Sequence, residues 1–143
     1  MRKSFFFFLL LLSCNEKSQE PKLLIKDFFI SYETRGLPEA LDNIFKTNEW
    51  LLEQSKDGIN KIKDDLLSYI SHIGNYCGYE ILSERSIGKH LKHYVCIVKY
   101  DRQLLRFSFV FYKAESLWVL YSFKYDQTLV EEIEETAKFY YLE

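Results

Sequence analysis

Glycine and proline are scarce in this chain, with five Gly and two Pro among 143 residues. That scarcity excludes collagen-like and low-complexity architectures, which need far more of both. The net charge is only −2, so the chain lacks the basic surplus that binds nucleic acid. Aromatic residues, in contrast, are abundant, and 12 Phe, 11 Tyr and 2 Trp exclude an intrinsically disordered chain. The composition therefore indicates one compact domain.

Sequence motifs of common catalytic chemistry are also missing. The chain has no Gly-x-Ser-x-Gly elbow, no phosphate-binding loop and no zinc-protease motif. It has no Cys-x-x-Cys pair, and His90 and His93, three residues apart in a predicted strand, point to opposite faces. We therefore expect neither a metal ion nor a cofactor.

Long hydrophobic runs are absent as well. The longest apolar run, residues 5–12, has eight residues, whereas a helix that spans a bilayer needs about 20. Arg2 and Lys3 precede this run, an arrangement typical of a secretory signal peptide. The alternative is a buried N-terminal strand or helix.

The signal ends in the sequence LLSC at residues 11–14, which resembles the lipobox of bacterial lipoproteins. The resemblance implies cleavage before Cys14 and attachment of lipid chains to that residue. We therefore expect a protein exported and lipid-anchored to the bacterial cell envelope. Asn15, in place of the Asp that retains some lipoproteins, favours the outer membrane.

The domain organisation follows from the polar segment after Cys14. Residues 15–22 (NEKSQEPK) are polar and predict a tether between anchor and domain. The predicted division is a lipoprotein signal peptide at 1–13, a lipidated tether at 14–22 and a single α+β domain at 23–143.

Helical periodicity marks the first half of the domain. Apolar residues at a spacing of four predict a helix over 23–34, which ends at Gly36. A second helix follows with Pro38 in its first turn, and a third runs from 55 to 73. Between them, Trp50 and Leu51 are predicted to lie in the core.

In the second half of the domain, β-branched and aromatic residues predict strands over 76–83, 90–100, 104–112 and 117–125. Phe107, Phe109 and Phe111 alternate with polar residues and should face the same side. A last helix follows the fourth strand. The predicted fold is α+β, with N-terminal helices packed on a curled four-stranded antiparallel sheet, cone-shaped, and a C-terminal helix.

This order of elements resembles the nuclear-transport-factor-2-like superfamily, a cystatin-like cone. The stretches that carry the resemblance are 74–80 (GNYCGYE), 99–107 (KYDRQLLRF), 111–113 (FYK) and 117–118 (LW). The resemblance implies a pocket between the helices and the concave face of the sheet. It also implies that the outer face of the sheet mediates homodimerisation.

Three cysteines are an odd number for an exported protein, and the anchor at Cys14 accounts for one. A hairpin centred between residues 86 and 87 would place Cys77 opposite Cys96. The two then form a disulfide, or remain as two buried free thiols.

The same register places Glu80 opposite His93. Glu80 is the one carboxylate in the middle of a predicted strand, so this pair is the candidate for acid–base catalysis on an apolar substrate. The alternative is an ordinary cross-strand pair that contributes only to stability.

A binding function is the prediction that the sequence favours over catalysis. Tyrosine presents an apolar ring and a hydroxyl, which suits a ligand pocket, and arginine can fix an anion. The candidate ligand-binding residues are Tyr79, Tyr94, Arg106 and Tyr112. We expect a non-enzymatic domain that is held on the membrane through Cys14. Its partner would be a small apolar ligand or a protein, and not a nucleic acid.

Overall fold

The computed structural model describes residues 19–140. Four helices lead this part of the chain: α1 (Pro21–Arg35), α2 (Leu37–Phe45), α3 (Glu49–Gln54) and α4 (Lys56–Ile73). Four strands follow: β1 (Tyr76–Ile87), β2 (Leu91–Tyr100), β3 (Leu104–Lys113) and β4 (Trp118–Asp126). A C-terminal helix, α5 (Leu129–Tyr140), completes this part of the chain. The predicted α+β fold is confirmed.

Helix α1 begins earlier than the sequence suggested. Pro21 stands at its first position, where proline costs nothing because the N–H of that position has no helical partner. Helix α1 therefore includes Pro21 and Lys22, the last two residues of the range 14–22 for which a tether is predicted. Gly36, with a φ of 95°, ends α1 and begins α2, a backbone conformation that favours glycine.

Residues 19–140 contain four helices before the sheet and not the three that were predicted. The additional one is α3, whose first turn is capped by the side chain of Asn48, which accepts a hydrogen bond from the N–H of Leu51 at 3.0 Å. With only six residues, α3 is too short to show a helical period in the sequence.

The sheet is antiparallel in the order β1-β2-β3-β4 and is not closed. The predicted hairpin register between β1 and β2 is wrong. Ile87 pairs with Leu91 around a turn that contains Gly88 at a φ of 64°, and two register shifts follow, between Tyr76 and Gly78 and between Ile81 and Ser83. Each shift displaces the pairing by one residue.

The helices cover one face of the sheet, the inner face. Phe107, Phe109 and Phe111 all lie fully buried on it, as predicted from their alternation. Phe28 of α1 packs its ring edge-to-face on Phe109, with the centroids 5.3 Å apart. Phe28 also contacts Phe107 in the same way. The space between helices and sheet is thus filled by aromatic rings where the resemblance implied a pocket.

Candidate functional site

Tyr79 and Tyr94, two of the predicted ligand-binding residues, lie on the inner face and serve the core. The ring of Tyr79 stacks on that of Phe29 with centroids 3.7 Å apart. Tyr94 is fully buried, and its hydroxyl donates to Glu84 Oε1 at 2.7 Å. Burial raises the pKa of Tyr94 above its ordinary value, and the hydrogen bond to Glu84 adds to the rise. Both rings therefore pack with the core.

Arg106, the third predicted residue, lies on the opposite, outer face, where two carboxylates engage it. Its Nε donates to Asp126 Oδ2 at 2.9 Å, and its Nη1 donates to Glu132 Oε2 at 2.6 Å. The hydrogen bond from Arg106 is the main reason that the pKa of Glu132 is lowered. The guanidinium therefore ties β3 to β4 and α5, and its charge is already compensated.

Glu80 and His93 do not form the predicted acid–base pair. Glu80 is exposed and stands opposite Ile97, because the register of the hairpin differs from the predicted one. His93 stands opposite Arg85, and its Nε2 lies 2.7 Å from Ser108 Oγ. The catalytic hypothesis required the two side chains to meet, and they do not.

Cys77 and Cys96 are free thiols, so the disulfide alternative is wrong for this structure. Cys96 stands opposite Ile81 and is buried, and burial raises the pKa of its thiol to about 12. Cys77 is exposed, and its Sγ lies 3.4 Å from the carbonyl oxygen of Asn75. The alternative of two buried thiols holds only for Cys96. Cys14 lies outside the described residues.

Tyr112, the fourth predicted residue, lines an open groove of about 560 Å³ beside strand β4. The lining comes from the start of α3, the end of β3 and the first half of β4. The lining residues are Asn48, Trp50, Leu51, Tyr112, Ala114, Val119, Tyr121 and Ser122. None of these side chains is charged, and three are aromatic.

The aromatic rings of the groove are unusually exposed. Trp50 is 67% exposed, Tyr121 is 60% exposed and Tyr112 is 40% exposed. The Tyr112 and Tyr121 rings lie with their centroids 6.3 Å apart and their planes at 67°. A contiguous exposed apolar surface with polar groups at its edge is typical of a site that binds a ligand, a protein or a membrane.

A β-bulge places Tyr121 in the groove. Val110 pairs with Ser122 and Phe111 pairs with Leu120, so Tyr121 between them has no partner on β3. Trp50 is held on the other side by α3. Its predicted position in the core is wrong, because α3 presents Leu51 and Leu52 to the core instead.

Sequence reasoning missed Trp50 and Tyr121 as functional candidates. The one available indication was that Tyr112, Tyr121 and Trp50 are large aromatic residues near polar turns. Nothing in the sequence indicates that an α2–α3 loop crosses β4 and brings the three together.

The chain has no match among known proteins that would assign its function. No family model matches the chain, and neither do the curated proteins or the solved structures with which it was compared. Within residues 19–140, no helix is long and apolar enough to cross a membrane. In the same part of the chain, no three His, Cys, Asp or Glu side chains are grouped as they would be around a metal ion.

Proposed function

We propose that this protein is a lipoprotein of the bacterial cell envelope, exported by residues 1–13 and anchored through a lipidated Cys14, whose domain binds a ligand or partner without catalysis. The support for the anchor is the sequence of residues 1–14, in which two basic residues, eight apolar ones and a small residue precede the cysteine. Several acyl chains on one cysteine hold a protein on a membrane far longer than one chain does.

The observation that supports binding is the groove lined by Trp50, Tyr112 and Tyr121. Its volume of about 560 Å³ lies within the range of small-molecule sites, about 300–1,000 Å³. Its walls combine aromatic faces with the hydroxyls of Tyr112, Tyr121 and Ser122. Aromatic rings with a polar group carry much of the binding energy at interfaces.

The lining of the groove supports binding rather than catalysis. A serine or tyrosine hydroxyl becomes an effective nucleophile or proton carrier when a carboxylate, imidazole or amine beside it takes its proton. The lining has hydroxyls but none of these activating groups. The earlier catalytic alternative, Glu80 with His93, has lost the contact on which it depended.

Fractionation of cells that express a Cys14→Ala variant tests the anchor. We expect the wild-type chain in the membrane fraction and the variant released from it or retained as an unprocessed precursor. Cys77→Ala is the matched control, because it removes one exposed thiol by the same substitution and should leave the protein on the membrane. Equal lipidation and membrane retention of wild type and Cys14→Ala would contradict the proposal.

Homodimerisation through the outer face of the sheet remains a second prediction. That face carries the partly exposed apolar side chains of Val95, Ile97 and Val110 between polar neighbours. Size-exclusion chromatography with light scattering of the detergent-solubilised protein tests it. A strict monomer would remove the prediction.

A further inference from the structure

The chain enters the domain at one end of the sheet, and side-chain contacts fix that entry. Glu20, directly before α1, accepts a hydrogen bond from Lys92 Nζ at 2.9 Å. Lys92 Nζ also lies 5.4 Å from the centre of the Trp118 ring. Lys22 Nζ and Glu84 Oε2 lie 3.5 Å apart. The entry is therefore at the end of the sheet that carries the β1–β2 and β3–β4 turns.

The distance between this end and a lipid attached at Cys14 is limited by the length of the chain. Glu20 comes six positions after Cys14 in the chain. A fully extended chain spans at most about 3.3–3.6 Å per residue, so the reach is about 20 Å. A domain tethered this closely presents the entry end of its sheet to the bilayer.

The outer face at that same end is apolar and continuous with the groove. Ile87 pairs with Leu91, Leu91 pairs with Tyr112, and Tyr112 pairs with Val119, so the four side chains form one row across the sheet. Ile87 at the hairpin is 57% exposed. We call this row together with Trp50 and Tyr121 the tip surface.

Basic residues lie around the tip surface. Lys89 lies in the β1–β2 turn, Arg85 lies near the end of β1 and Lys113 ends β3, while one acidic residue, Glu115, lies in the β3–β4 turn. Lys89 is exposed and makes no ion pair with another residue of the described part of the chain. Tryptophan and tyrosine concentrate where a bilayer meets water, and lysine near that level is attracted to anionic headgroups.

We propose that the tip surface lies against the membrane in which the protein is anchored, with Trp50, Tyr112 and Tyr121 at the headgroup level and Lys89 near anionic lipids. The proposal rests on the lipid attachment under Proposed function and names the occupant of the groove as the bilayer interface. Three observations carry it: the short chain to Cys14, the apolar row and the basic surroundings.

Tryptophan fluorescence in vesicles with brominated lipids tests the proposal, because bromine on acyl chains quenches only a ring in contact with the bilayer. The full lipidated chain is purified from membranes and reconstituted into vesicles of phosphatidylcholine and phosphatidylglycerol, with and without bromine. We expect quenching in the wild type and loss of most of it in Trp50→Phe. The remaining Trp118 is buried and serves as the internal control.

The outcomes separate this proposal from the anchor. A protein that stays with the vesicles while Trp50 emission is the same in both lipids overturns the proposed orientation and leaves the anchor standing. The groove would then be open to a soluble ligand. A protein that does not stay with the vesicles overturns both.

A matched pair of variants tests whether the charge of Lys89 contributes to the contact with anionic lipids. Lys89→Glu at the tip should reduce the quenching and its increase with phosphatidylglycerol. Lys99→Glu, at the far end of the β1–β2 pair and also exposed, should change neither. Equal effects of the two substitutions would contradict the orientation. If one of these variants folded poorly, the comparison of wild type with Trp50→Phe would still test the orientation.

Discussion

The hydroxyl oxygen of Thr47 accepts a hydrogen bond from the backbone N–H of Leu120, with 2.9 Å between the two heavy atoms. The carbonyl of the same Leu120 accepts from Asn48 Nδ2, also at 2.9 Å. Two side chains of the α2–α3 loop thus satisfy both backbone groups of one residue on the edge strand β4. This bonding blocks part of an edge that would otherwise pair with another strand, and it positions Trp50 beside the groove.

Replacing Thr47 by Val should destabilise the fold. The substitution keeps the shape but leaves the partly buried N–H of Leu120 without an acceptor, which costs about 1–3 kcal/mol. Denaturant unfolding measures the change. Thr34→Val is the control, because Thr34 is exposed and its hydroxyl donates only to a carbonyl of its own helix, that of Ile30. Equal changes in the two variants would contradict the role of Thr47.

Replacing Phe109 by Ala should be far more costly. Phe109 is fully buried and contacts Phe28 and Phe123, with ring centroids 5.3 Å and 5.2 Å away. Loss of such a ring typically costs about 3–5 kcal/mol, because a cavity remains. Phe139→Ala on α5 provides the same substitution at a ring that is 73% exposed, and should change stability little. Similar losses at both positions would argue against this core.

The two thiols of the domain should react at very different rates. In the folded, unreduced protein we expect a maleimide to label Cys77 promptly, because it is exposed. Cys96 should react only after unfolding, since it is buried and its thiol has a raised pKa. Mass spectrometry after labelling distinguishes the sites. Absence of label on both in the unfolded, unreduced chain would restore the disulfide.

Asp126 should contribute stability at neutral pH that is lost in acid. Desolvation alone would raise its pKa, but the hydrogen bond from Arg106 and those from Thr128 outweigh this and lower the pKa. Because the pKa of Asp126 is lower in the folded state, its ionised carboxylate stabilises the fold at pH values above the ordinary Asp pKa. This contribution disappears as the pH falls through the lowered pKa.

The pH dependence of unfolding for Asp126→Asn tests this. We expect the variant to be less stable than the wild type at pH 7, with the difference shrinking below pH about 4. Asp64→Asn is the control, since Asp64 is exposed on α4 and has no ion pair within residues 19–140. A wild-type advantage that persists unchanged into strong acid would contradict the assignment.

Periodicity in the sequence predicted the elements of the fold but not how β1 pairs with β2. The alternation of Phe107, Phe109 and Phe111 with polar residues is a local pattern, so the sequence alone indicates that the three share one face of the strand. The pairing of Cys96 depends on where the hairpin turns and on two bulges in β1. The turn that contains Gly88 is centred at residue 89, two to three residues beyond the predicted centre, and each bulge shifts the pairing again.

The candidate site was harder to predict than the fold because it is assembled by tertiary contacts. Tyr112 was predicted from its residue type alone. Trp50 was assigned to the core because it is large and apolar, but the cap at Asn48 and the contact with Leu120 turn α3 so that Leu51 packs inward. The position of Tyr121 in the groove depends on a β-bulge, and no sequence pattern indicates that bulge.

The central claim is that Cys14 is the lipidated first residue of the mature protein, and intact-mass spectrometry of the chain purified from membranes tests it most directly. The predicted result is a mass for a chain that starts at Cys14 with added acyl groups, with no residue of 1–13 detected. A chain that begins at Met1 and carries an unmodified Cys14 would contradict the account.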